Sequence, residues 1–416
     1  MATVATWLAM LALCAPGMSS FAQGADRFVG RRGTDTANPC TSPATPCRTV
    51  EHGVATAGDG DTIKLARGKY PASLRLDASA SWTIEGGWSP TFASRDPSLF
   101  PTVLKSRARR YDHPYGRVTD HRVVLVVAEA GETIDVVFDG LAIERGKAQT
   151  GDVDVPALPV NFGVGGGGAL WLYAAGGTAR VTLRQVALRK NTSRVLGAGV
   201  ALVLASYDGT ADLIVERSLI TDNWSDYANI WVASVGDQSQ GIGGTAHVRI
   251  ENSVVAQNRA ERESALYVEQ IGGSATADLV ASTVTDNLSH PEADYPNLGN
   301  AIGVFAGTVN LLDMLVWGNR QKPVTPGADL IVGAQSTVNL QSSDVGDLVV
   351  FTDQGGVLND LGGNLSVDPQ LLGYQLTSGS PLIDAGTCAG APTTDVAGDP
   401  RPTGTSCDIG ADEFVP

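Results

Sequence analysis

The sequence is short of aromatic residues, which make up 6% of its 416 positions, while glycine occurs 49 times. Positive charge is short as well: 29 Lys and Arg stand against 44 Asp and Glu, a net charge of −15. That balance argues against nucleic acid and against an anionic membrane surface as partners, since both would repel it. No apolar run reaches the roughly 20 residues that span a bilayer as a helix. The middle of the chain shows no helical apolar spacing, so the helical crossovers that normally join parallel strands are missing there. Cysteine is scarce, with five residues. None of them has metal-ligand spacing, and no histidine accompanies them, so the sequence implies no metal and no cofactor. A glycine-rich, aromatic-poor chain of this length fits a solenoid with a tight turn in every coil.

Residues 1–22 read as a secretory signal peptide. Ala5 to Ala15 is apolar, and Ser20-Phe21-Ala22 is a small-x-small cleavage site ahead of Gln23. The pattern is incomplete, because no Lys or Arg precedes the apolar run. The expected location is therefore secreted, periplasmic or cell-surface. Removal of the signal takes Cys14 with it and leaves two local pairs, Cys40 with Cys47 and Cys388 with Cys407. An even count in an exported chain predicts two disulfides.

The stretch from Val181 to Gly346 is a ladder of similar coils. Asn191, Asn223, Asn258, Asn287 and Asn319 recur at intervals of 32, 35, 29 and 32 residues. A period of this size marks stacked repeats. Ahead of each asparagine runs an apolar strand pattern, with Leu183, Val215, Ile250, Leu279 and Leu311 in one column. A second strand follows, with Leu172, Val203, Val232, Val268, Val304 and Val332 facing inward. Strands that stack without crossover helices must wind into a parallel β-helix, all-β and right-handed like other parallel connections. Residues 23–60 are expected to form an N-terminal cap, with a short helix marked by Val50, Val54 and Ala57. The β-helix should span 61–350, and 351–416 should form an irregular C-terminal cap.

That C-terminal segment carries Gly362-Gly363-Asn364-Leu365-Ser366-Val367-Asp368-Pro369, then Ser378-Gly379-Ser380-Pro381-Leu382-Ile383-Asp384-Ala385-Gly386. It continues with Gly398-Asp399-Pro400-Arg401-Pro402 and Cys407-Asp408-Ile409-Gly410-Ala411-Asp412-Glu413. It closely resembles the C-terminal segment of secreted bacterial β-helix proteins of the choice-of-anchor Q type. Val50 to Tyr70, with Gly58-Asp59-Gly60-Asp61-Thr62-Ile63 and Gly68-Lys69-Tyr70, resembles the entry segment of the same proteins. The resemblance implies an exported, often surface-associated β-helix of the pectate-lyase-like kind, and no particular reaction. Members usually carry an anchor after this segment; three residues follow Glu413 here, so none is expected.

Chemistry has few candidates. A stacked asparagine column reads as a structural ladder, because neighbouring amides about 4.8 Å apart can bond one another. Trp171, Trp231 and Tyr267 each follow an inward aliphatic and so point out, as a saccharide-binding face or as a satellite cluster under a loop such as 147–164 or 288–300. Arg259 and Arg262 beside them would favour acidic sugars. Asp222 and Asp286 precede ladder asparagines two coils apart, at about 10 Å, near the upper end for an inverting glycosidase pair. A solvated turn with a Lys190–Asp222 pair is the simpler reading of those aspartates. His247 reads as structural or solvated. The tail aspartates Asp395, Asp399, Asp408 and Asp412, with Arg401 at hand, read as a structural cap. Three functions stay open: polysaccharide binding without catalysis, a polysaccharide lyase or glycoside hydrolase acting on an acidic glycan, and a structural, adhesin-like surface protein.

Overall fold

In a computed structural model, residues 24–416 are described except for 108, 114–115, 149–166, 194–197, 238–241, 291–299, 322–324, 327 and 389. Residues 1–22, read above as a signal peptide, therefore lie outside the described residues, as does most of the two loops proposed above as covers. The fold is a right-handed parallel β-helix, 53% strand and 3% helix. Each complete coil visits four parallel sheets, of eleven, nine, seven and ten strands among the described residues. Thr178–Arg184, Ala187–Arg189, Thr192–Ser193 and Ala198–Ser206 are one coil, and each pairs in parallel with its counterpart one coil on.

The pattern ahead of each asparagine is thus two strands, not one. A corner separates the first sheet from the three-residue strand of the second. It is turned by a single left-handed residue: Gln185, Arg217, Asn252, Ala281 and Asp313 have φ between 43° and 52°. Five residues later a second left-handed residue closes that strand, at Lys190, Asp222, Gln257, Asp286 and Gly318, with φ between 55° and 71°. The ladder asparagine comes next. The second sheet has three-residue strands because two such corners bracket them.

Inside the corners the inward columns form one continuous core from Val29 to Val345. Leu183, Val215, Ile250, Leu279 and Leu311 are at most 1% exposed. Burying an aliphatic side chain of this kind stabilises by about 1.5–3 kcal/mol. Polar ladders line the corners. The side-chain amides run Asn191 to Asn223 to Asn258 to Asn287 to Asn319, each Nδ2 donating to the next Oδ1 at 2.9–3.1 Å. Asn319 donates in turn to Asp329 Oδ1 at 2.7 Å, which ends the series. A serine column behaves likewise: Ser218, Ser253 and Ser282 each accept from a backbone N–H of the preceding coil at 3.0 Å. Both satisfy backbone and side-chain groups that would otherwise be buried unpaired.

The N-terminal end is covered as expected by the helix Val50–Ala55, whose Val50 is fully buried. A strand not legible in the sequence, Asp26–Val29, pairs in parallel with Thr62–Ala66 and extends the first sheet. Cys40–Cys47 and Cys388–Cys407 both form, with Cα separations of 5.1 Å. The irregular C-terminal segment lies along the outer face of the second sheet. Leu376, Leu382 and Ile409 pack on Leu315, and Ala411 packs on Val254 and Ala256. Its acids are held by backbone amides: Asp395 Oδ1 accepts from Ala397, Gly398 and Asp399, and Asp408 from Asp384 and Phe414. Buried Arg401 donates to the Asp408 and Gly410 carbonyls and lies 3.5 Å from Glu413.

Candidate functional site

The left-handed residue before each ladder asparagine cannot turn its side chain into the core, so this column faces solvent. Asp222, Gln257 and Asp286 are all exposed. The residue after each asparagine opens the narrow third sheet, where Trp224, Arg259, Leu288 and Arg320 pair in register. The inward partners in that sheet are the buried Ser225, Ala260 and Ser289, so the first-named column points out. Two parallel outward columns, about 4.8 Å per coil, make the floor of a cleft of about 630 Å³.

The cleft therefore joins Asp222, Asp286 and Arg259, three residues the sequence had marked. It adds Trp224 at one end, Leu288 between, and Arg320 at the other. The missed residues share a recognisable position, one after the ladder asparagine. Arg320 stands 4.0 Å from Asp286 with both side chains largely exposed, a weak pair. Among the described residues the Arg259 guanidinium has no hydrogen-bond or ion-pair partner, and no Lys190–Asp222 pair forms. Two carboxylates, two guanidiniums, an indole and an amide give a neutral, open surface with many donors and acceptors. The aspartates are separated by two coils, beyond the spacing at which a retaining pair works and at the limit for an inverting one.

The aromatic column requires a correction. Trp171, Trp231 and Tyr267 do point away from the solenoid core, yet they are 0%, 4% and 6% exposed. They belong to a second apolar cluster on the outside of the fourth sheet, with Leu125, Leu202, Leu204 and Tyr227. Alternation along a strand fixes direction, not cover. Tyr227 stacks on Trp231 at 4.6 Å between centroids and meets Tyr267 edge-on at 5.2 Å. Arg122 lies over the Trp171 ring and Arg262 over the Tyr227 ring, at 4.6 and 4.5 Å. Arg262 is thus part of this cluster and does not line the cleft with Arg259.

The same cluster encloses two carboxyls. Burial pushes Glu263 up to about 8, and its Oε2 has no hydrogen-bond partner. Burial also raises Glu269, opposed by the nearby Arg262 charge. Tyr227 is pushed up to about 12 by burial and by the charges of Glu269 and Glu263. No sequence signal set Glu263 apart from the other acids of the chain.

On the first sheet His247 is half-buried and paired. Its Nδ1 lies 2.9 Å from Asp212 and its Nε2 3.1 Å from Asp278. Hydrogen bonds to Asp212 and then Asp278 raise its pKa to about 9. Arg180 bonds the other side of Asp212, and Asn310 bonds Asp278. This is a charge-paired ladder with no nucleophile in it. Among the described residues, the group of His, Cys, Asp or Glu whose ligand atoms converge is Cys40, Cys47 and His52. Its two sulfurs are joined to each other, so it offers no thiolate.

No family model matches this chain, and no curated protein matches it significantly.

Proposed function

We propose that this chain is an exported β-helix protein, of the choice-of-anchor Q type, that binds a polysaccharide in the cleft between Trp224 and Arg320. The observation that carries the reading is the register of that cleft. It presents an indole, two guanidiniums and two carboxylates on a straight floor running along the helix axis. An extended glycan offers what this floor can use. Its ring faces stack on Trp224, its hydroxyls meet Asp222, Gln257 and Asp286, and Arg259 takes a carboxylate or a hydroxyl pair. The buried Trp231 face is a packing element in this reading, and binding moves round the corner to the turn. Binding without catalysis is preferred to hydrolysis because the two aspartates stand at the limit of a working pair.

The test is a glycan array followed by titration of the hits. Trp224→Ala and Arg259→Ala should each weaken binding about 5- to 150-fold, since stacking and charge-assisted contacts are worth about 1–3 kcal/mol, and leave thermal stability unchanged. Full binding by both variants sinks the proposal. New reducing ends or unsaturated products that vanish in Asp222→Asn would replace it with the enzymatic reading.

A further inference from the structure

The corner between the first and second sheets carries one left-handed residue per coil, at Gly140, Gln185, Arg217, Asn252, Ala281 and Asp313. Two parts of the chain lie over this column. Near its N-terminal end the loop carrying Arg95 and Pro97 presses on Gly140, where a side chain would meet Pro97 at 2.7 Å. Arg95 fixes that loop by reaching Asp139 and the Gly86 carbonyl. Further along, the C-terminal segment hangs on the column. Asp313 accepts from the Thr387 N–H and hydroxyl, and Asn252 Nδ2 donates to the Thr394 carbonyl. Tyr374 and Val396 of that segment pack with Leu219 against Val254 and Ala256. Gln185 and Arg217 fall in the interval between the two covers, and a pocket of about 480 Å³ opens there. That volume is within the roughly 300–1,000 Å³ of small-molecule sites. Ala187 and Leu219 form its floor, with Pro97 on one side and Tyr374 and Val396 on the other.

The pocket holds two charges that do not neutralise each other, Arg217 and Asp412. Glu216 precedes Arg217 and the Glu251 carbonyl accepts its backbone N–H, but both of those carboxylates are taken, by Arg184 and Arg249. Among the described residues the Arg217 guanidinium has no hydrogen-bond or ion-pair partner. Asp412 is 6% exposed, with one oxygen on the Leu376 N–H at 2.8 Å. Burial pushes its pKa up, and the Asp395 and Asp408 carboxylates add to that. Asp96, also in the lining, is satisfied within its own turn by the Ser98 and Leu99 amides. We propose that this pocket binds a small zwitterion, a dipeptide with aliphatic side chains. Its carboxylate meets Arg217, its ammonium meets Asp412, and its side chains lie over Ala187 and Leu219. A ligand of one charge satisfies one of these groups and desolvates or repels the other. Two residues of extended chain hold the two end charges about 7 Å apart, which suits protein groups that do not reach one another, whereas a single amino acid carries both charges on one carbon. The pocket lies at the opposite corner of the second sheet from the Trp224 cleft, so this site is independent of polysaccharide binding.

The experiment is isothermal titration calorimetry of the full chain with leucyl-leucine, N-acetyl-leucyl-leucine and leucyl-leucine amide at neutral pH. The expected result is one-to-one binding of leucyl-leucine with a Kd below about 1 mM. Acetylation removes the ammonium and amidation the carboxylate, and each should weaken binding about tenfold or more. Arg217→Gln should bind the free acid and the amide equally, and Asp412→Asn should bind the free and the acetylated amine equally. Asn at 412 keeps an acceptor for the Leu376 N–H, so the fold survives the change. Ala187→Phe, which fills the floor, should abolish binding with circular dichroism unchanged. No binding of leucyl-leucine at about 1 mM, equal binding of all three peptides, or a preference for free ends that persists in both charge variants overturns the proposal.

Discussion

Asn258 sits in the middle of the amide ladder, and its replacement measures what the ladder contributes. Its Nδ2 donates to the Ile220 carbonyl at 2.8 Å and to Asn287 Oδ1 at 3.0 Å. Its Oδ1 accepts from the Asn223 backbone N–H at 3.1 Å and from Asn223 Nδ2 at 2.9 Å. The side chain is fully buried, so water does not replace these partners. Four hydrogen bonds at a net 0.5–1.5 kcal/mol each put Asn258→Ala at about 2–6 kcal/mol destabilising. Asn258→Asp keeps both acceptor bonds, loses both donor bonds and sets a carboxylate against Asn287 Oδ1. It should be at least as harmful at neutral pH and recover in acid. The assay is urea unfolding followed by tryptophan fluorescence, with Arg259→Ala as an exposed control expected within about 0.5 kcal/mol of the parent. Hydrogen exchange should show the Asn223 amide released first, because coils in a solenoid depend on their neighbours. A loss below about 1 kcal/mol for Asn258→Ala would refute the view that the column holds the turns together.

Trp231→Ala should cost about 3–5 kcal/mol, as expected for a large buried aromatic; a melting temperature equal to the parent's would mean the second apolar cluster is not packed. For His247 the sign follows from a folded pKa near 9, above the usual 6.5. The stabilisation is complete below about pH 6.5 and is lost as pH rises through 9. Stability measured between pH 6 and 10 should fall in the parent, and His247→Asn should flatten that fall; an unchanged slope contradicts the aspartate pairing.

Much of the architecture was written in the sequence. A ladder asparagine can be recognised because its side chain repeats at the coil period, and the alternating aliphatics around it fix which face is inward. The disulfides followed from the local pairing of the four cysteines, Cys40 with Cys47 and Cys388 with Cys407. Cover was not legible. Trp231 alternates correctly and still lies buried, because burial outside the core depends on neighbours from adjacent coils such as Leu202 and Tyr267. Half of the cleft was legible, since Asp222, Asp286 and Arg259 adjoin the asparagines. Trp224 and Arg320 are equally close, but an outward residue after a turn carries no mark until the register of the third sheet is known. The strand Asp26–Val29 is too short and polar to stand out, and only its pairing with Thr62–Ala66 makes it one.

The left-handed corners have a bearing on how this chain can change. At Lys190, Asp222, Gln257 and Asp286 a glycine would adopt the backbone conformation without strain, and a side chain there costs about 1 kcal/mol more. Gly318 is the one member of the column that takes the relaxed option. Substitution by glycine would therefore firm up the scaffold while erasing one functional group from the cleft at a time. Asp222, Gln257 and Asp286 can therefore be exchanged one coil at a time, which changes the cleft's chemistry without disturbing the stack beneath it.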